Sequence, residues 1–228
     1  MRRFVPLLLV LAACGGPARP RPVTAPPAPP VEVQPAAPVP PPIAQNQSVW
    51  TRSAGLRLRG ETGMTPLPHI FMRLEVLRAD TTDLLLRCAV CPGAPTGWLE
   101  RGAVVHYAPH PIDAARMELA DFAFAVRQAA SMRDIQALRP VMARTFAGTL
   151  GPVEVGTLET LAAWEREGYR ALDRMPFLMD RGIVTVGTTP VWASPPEYAT
   201  NPAYGDLRAG FRRGPDGWEW VFLVANGR

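Results

Sequence analysis

The sequence predicts two folded segments of different class, a small all-β barrel over residues 44–108 followed by an α+β domain over residues 112–228. Three observations carry this. The first 43 residues hold 13 of the 27 prolines, and from Gly16 onward this stretch has almost no large apolar side chains, so it builds no core. Across residues 49–105 apolar side chains recur with a period of 2, the spacing of strands. Beyond a connector at residues 108–111 the period becomes 3.6, and over the last 46 residues it returns to 2.

The chain begins with Arg2 and Arg3, followed by an apolar run of 10 residues, Phe4 to Ala13, broken only by Pro6. A membrane-crossing helix needs roughly 20 residues, so this run reads as an export signal. Its ending, Leu11-Ala12-Ala13-Cys14-Gly15-Gly16, resembles the bacterial lipobox. That resemblance implies a signal peptide over 1–13 and diacylation of Cys14 as the first residue of the mature chain. Gly15 rather than Asp after the cysteine implies, by the family's sorting rule, the periplasmic face of the outer membrane. Residues 14–43 then form a proline-rich tether, extended at about 3.1 Å per residue where it adopts polyproline II.

From residue 49 the pattern is short strands and turns. Leu56-Arg57-Leu58-Arg59 alternates, as do Met72, Leu74 and Val76 against Arg73 and Glu75. Residues 84–90 form a β-rich run that Cys91-Pro92-Gly93 breaks, and Thr96-Gly97-Trp98-Leu99 returns to a strand. Five short strands in under 60 residues suggest a small barrel. The early "LRLR" strand, a polar loop, the "RLEVLRADTTDLLLRCAV" hairpin and the "TGWLE" strand together resemble the bacterial SH3-like domain. Trp98 stands either as a groove aromatic or as half-buried packing.

Cys88 and Cys91 form a C-x2-C pair that His106 and His110 extend to C-x2-C-x14-H-x3-H, close to a zinc-finger spacing. Pro109 and Pro111 deny the helix that would present both histidines on one face. With Cys14 acylated, the two remaining cysteines are an even pair in an exported chain, which favours a disulfide or a free pair over zinc. A redox-active pair would need a βαβ setting that is not apparent here. No metal site and no cofactor are assigned.

In the second segment Leu119, Phe122, Ala123, Val126 and Ala130 fall on one face of a helix starting near Asp113. Ser131 to Asp134 reads as a capping box opening a second helix, with Ile135, Leu138, Val141 and Met142 inward and Pro140 splitting it. A strand is expected over residues 145–150. Thr157 then caps a third helix with a stripe of Leu158, Leu161, Tyr169 and Leu172, ending near Pro176. Strands follow over residues 183–192, 204–213 and 218–224, the last two joined by the turn Gly214-Pro215-Asp216-Gly217. The final strand is apolar on both faces, as a central strand would be. "FAFAVRQAASMRDIQALRPVMARTF" with the closing "GWEWVFLVANG" is similar to the nuclear-transport-factor-like cone fold, implying leading helices on a curved antiparallel sheet. Fold alone fixes no activity here.

Chemistry is narrowed by what the chain omits. All 24 basic residues are arginine, which removes Schiff-base, pyridoxal-phosphate and Walker-type chemistry. Beyond His110 there is neither histidine nor cysteine for Ser-His or Cys-His catalysis. Of the net charge of +4, the first 43 residues carry +3, so the folded part is nearly neutral and does not read as a nucleic-acid binder. Glu165 stands on the stripe of the third helix, either as a pocket acid or base or as an edge residue paired with an arginine. Trp164 beside it stands as a cavity aromatic or as core. These observations favour a membrane-anchored envelope lipoprotein that binds peptidoglycan, a peptide or a protein partner. The alternative is an envelope enzyme or small-ligand binder using a carboxylate-lined pocket in the C-terminal domain.

Overall fold

Strand alternation organises the first half of the fold. The computed structural model describes residues 39–149, 156–201 and 203–225, so the expected signal peptide, Cys14 and most of the expected tether lie outside the described residues. In β2 (Leu56–Gly60) Leu58 is buried while Arg57 and Arg59 are exposed. It pairs antiparallel with β3 (Gly63–Leu67), which occupies what the sequence presents as a polar loop. β4 (Ile70–Ala79), β5 (Asp83–Arg87) and β6 (Thr96–Glu100) follow as an antiparallel meander, and β2 pairs with β6. β1 (Ser48–Thr51) lies against β4 and the two-residue β7 (Val104–Val105). Ile43, the last residue of the expected tether, is buried with Val49, Leu74 and Leu86, and Pro41 O lies 2.9 Å from His106 Nε2.

The second half opens with α1 (Leu119–Ser131), whose buried face carries Leu119, Phe122, Ala123, Val126 and Ala130. It begins later than the sequence predicts, because residues 113–118 are held from outside. Ala114 O accepts from Trp218 N at 3.0 Å, and Arg213 donates to the carbonyls of Ala115 and Met117. Asp134, not Ser131, caps the short α2 (Ile135–Leu138), its Oδ1 accepting from Ala137 N at 3.0 Å. Pro140 sits in the 3-10 turn that ends this helix. After β8 (Met142–Thr149), Gly156 rather than Thr157 is the cap of α3 (Thr157–Arg166). The expected single helix is two, because Gly168 and Tyr169 both take left-handed backbone angles before α4 (Arg170–Met179). α4 accommodates Pro176 and continues past it.

The strand expected over residues 183–192 is a hairpin, β9 (Arg181–Thr185) with β10 (Val191–Ser194). A four-residue helix, α5 (Glu197–Thr200), precedes β11 (Arg208–Gly214) and β12 (Gly217–Val224), which meet at the Gly214–Gly217 turn. β12 lies between β11 and β8, and its pairing with β8 is parallel, so this sheet is mixed and not purely antiparallel.

The class is α+β: a large mixed sheet with a few helices. One strand path runs β3-β2-β6-β5-β4-β9-β10-β11-β12-β8, with β1 and β7 beside it, and it does not close into a barrel. The junction is the pairing of Ile70 with Ile183 and Met72 with Arg181, where the start of the ten-residue β4 extends far enough to take β9. Gly182 makes this approach possible, since a Cβ there would lie 2.8 Å from His69 Cβ, and its φ is +114°. The apolar side chains still gather in two clusters, one among the first strands and one around α1, α4 and the last strands. Trp50, Phe71 and Val105 come from the first strands yet belong to the second cluster, which ties the two segments together.

Candidate functional site

Alternation along β6 sends Gly97 and Leu99 inward and leaves Trp98 half-buried on the outer face, opposite Arg59 of β2 and Leu85 of β5. There Trp98 lines an open groove of about 820 Å³ with Gly60, Glu61, Met64 and Thr96. Gly97 faces inward, where a Cβ would lie 2.9 Å from the buried Leu58 Cβ, and the backbones of Gly60, Gly63 and Gly97 line the groove. The Arg78 guanidinium lies 5.4 Å from the Trp98 ring centroid, a cation–π contact, and Arg59 is held by Asp83 at 2.5 Å. Met64 is 58% exposed on the groove wall. A flat indole, a thioether and a backbone floor suit contact with an extended or ring-bearing ligand, with Arg59 and Glu61 as polar anchors.

Two further grooves adjoin. One of about 420 Å³ runs between Pro66, His69, Met72, Cys91, Arg181 and Glu197. The other, about 330 Å³, lies between Arg174, Phe177, Arg181, Tyr204, Asp206 and Leu207. Burial holds the His69 imidazole below its ordinary value of 6.5, against the opposing pull of Glu197. Burial raises the Tyr204 phenol, and the positive charge of Arg181 partly offsets this. A fourth, mainly apolar cavity of about 290 Å³ lies between His110, Ala129 and Met132.

The residues singled out from the sequence separate in space. Cys88 and Cys91 are joined by a disulfide, with Cys88 in the strand cluster and Cys91 half-buried on the second groove. His106 contacts Pro41 O, and His110 lines the fourth cavity. Among the described residues no three His, Cys, Asp or Glu side chains converge as metal ligands would. Trp164 is 2% exposed, stacked on Trp220 at 5.7 Å and edge-on to Phe146. Glu165, the next residue, is exposed and lines none of these four grooves. Asp134 is committed to its helix cap.

Trp98, which the sequence offers as a groove aromatic or as half-buried packing, is half-buried and lines the groove, whereas nothing in the sequence singles out Met64, Arg59, Arg78, His69 or Arg181. Glycine and proline in Gly63-Met64-Thr65-Pro66 hide the strand that presents Met64. His69 and Arg181 meet only through the β4–β9 pairing. No helix among the described residues is long and apolar enough to cross a membrane. Comparison with family models, with curated proteins and with solved structures finds no match.

Proposed function

We propose that this chain is an envelope lipoprotein, anchored through an acylated Cys14 and spaced from the membrane by its proline-rich tether. Its folded part acts as a binding module for peptidoglycan or for a peptide segment of a protein partner. The single observation that carries the reading is the groove in which Trp98 and Met64 flank a glycine floor. A module of this kind needs shape and an aromatic platform and no nucleophile. In this reading the strands from β1 to β7 correspond to an SH3-like module and α1 to β12 to a cone-like one, the two fused through β4 and β9. The anchor is tested by fractionation, where Cys14→Ser is expected to release the chain from the membrane. The groove is tested by binding to isolated peptidoglycan and to peptides, which Trp98→Ala is expected to abolish.

A further inference from the structure

The three grooves on this side of the molecule share walls. Thr65 and Pro95 line both the Trp98 groove and the second one, and Arg181 lines both the second and the third. We propose that they form one trough that holds an extended peptide, with a carboxylate of that peptide bound at the Phe177 end by Arg174 and Arg181. This rests on the reading of the Trp98 groove as a binding surface and extends it across the β4–β9 junction.

The chemistry changes along the trough in an order that specifies the occupant. At the Trp98 end the free side of β3 is available, since this strand pairs only with β2 among the described strands. The outward amides and carbonyls of such an edge strand are a template for another extended backbone, which favours a peptide over a glycan. In the middle, Pro66, Pro68, Pro92 and Pro196 with Met72 and Val90 make rigid, donor-poor walls suited to apolar side chains. At the far end Phe177 is 73% exposed above Leu178 and Leu207. Arg174, Arg181 and the carboxylate Asp206 face this last groove, and Glu197 pairs with Arg181 from beside it. Arg181 is engaged by Glu197, whereas Arg174 has no ion-pair partner among the described residues. An arginine held in place beside a free one is a natural seat for a carboxylate, which takes paired N–H donors from a guanidinium.

The test uses the full chain carrying Cys14→Ser and fluorescent peptide libraries of about ten residues, roughly 33 Å when extended. The libraries are degenerate at every position except that Asp and Glu are omitted, and each is made as the C-terminal acid and as the amide. Fluorescence polarisation is expected to show the acid library binding about tenfold more tightly than the amide library. Arg174→Gln should erase that difference, and Trp98→Ala should weaken both libraries alike. Equal binding of acid and amide, with Trp98 still required, would overturn the carboxylate seat and leave the Trp98 groove standing. Binding indifferent to Trp98→Ala would overturn the groove reading and this inference together, and no binding of either library would overturn this inference while leaving peptidoglycan as the ligand of the Trp98 groove.

Discussion

The indole Nε1 of Trp50 donates a 2.8 Å hydrogen bond to Oδ1 of Asp180, 130 residues further along the chain. The same carboxylate accepts from Arg127 Nε at 2.9 Å and Nη2 at 3.2 Å, with the Arg73 guanidinium at 3.7 Å. The Arg127 guanidinium also lies 4.5 Å from the Trp50 ring centroid. Asp180 O accepts from Arg73 N at 2.9 Å, so both main chain and side chain of this residue are engaged. Strand β1, strand β4, helix α1 and the end of helix α4 thus meet on one nearly buried carboxylate. This brace fixes the junction across which the grooves run.

Removing that carboxylate leaves Arg127 partly buried and unpaired and the Trp50 donor unsatisfied. Asp180→Ala is therefore expected to lower unfolding free energy by about 3 kcal/mol. Urea denaturation followed by tryptophan fluorescence measures this. A loss under about 1 kcal/mol would mean the brace contributes no more than an exposed ion pair.

Glu165 makes the opposite prediction. It is exposed on α3, so Glu165→Gln should change stability by no more than about 0.5 kcal/mol and leave ligand binding untouched. Paired thermal melts and binding titrations decide it. Loss of binding on that substitution would return the site to the C-terminal helices.

The Cys88–Cys91 bond closes a ring over a sequence separation of 3. Chain entropy for so small a ring is worth about 2 kcal/mol, so the Cys88→Ala, Cys91→Ala double variant should lose about that much. Comparing its denaturation midpoint with that of the wild type checks the figure. An unchanged midpoint would show that the turn between β5 and β6 is set without the bond.

His69 supplies a pH dependence. Its folded-state pKa lies below 6.5, so the unfolded chain binds the proton more readily. Stability should therefore be full above the unfolded value and decline as pH falls through 6.5 toward the depressed folded value. His69→Asn should flatten that part of the stability profile. A wild-type profile no steeper than the variant's across this window would contradict the burial of the imidazole.

Much of the secondary structure was legible because burial imposes a period. The apolar face of α1 and the Gly214–Gly217 turn lie where the sequence places them. The helix stripe drawn through Leu161, Glu165 and Tyr169 failed for a local reason. It assumes one helix, and Tyr169 sits at φ 63° between two. That break leaves Trp164 in the core and Glu165 outside. The open sheet was illegible for another reason, since pairing between β4 and β9 is made by backbone groups that every residue carries. Trp98 was legible because it stands between two inward-facing neighbours on a strand. The grooves beyond it depend on the β4–β9 junction and have no signature in sequence spacing.

The most direct test of the central claim is retention of the full chain on detergent-washed, insoluble cell envelope, with Cys14→Ser present so that no acyl chain contributes. The Cys14→Ser chain is predicted to sediment with that material, and adding Trp98→Ala is predicted to release it while its thermal melt stays cooperative. Equal sedimentation of the two chains, or sedimentation of neither, would contradict the proposal that this protein binds the envelope through the Trp98 groove.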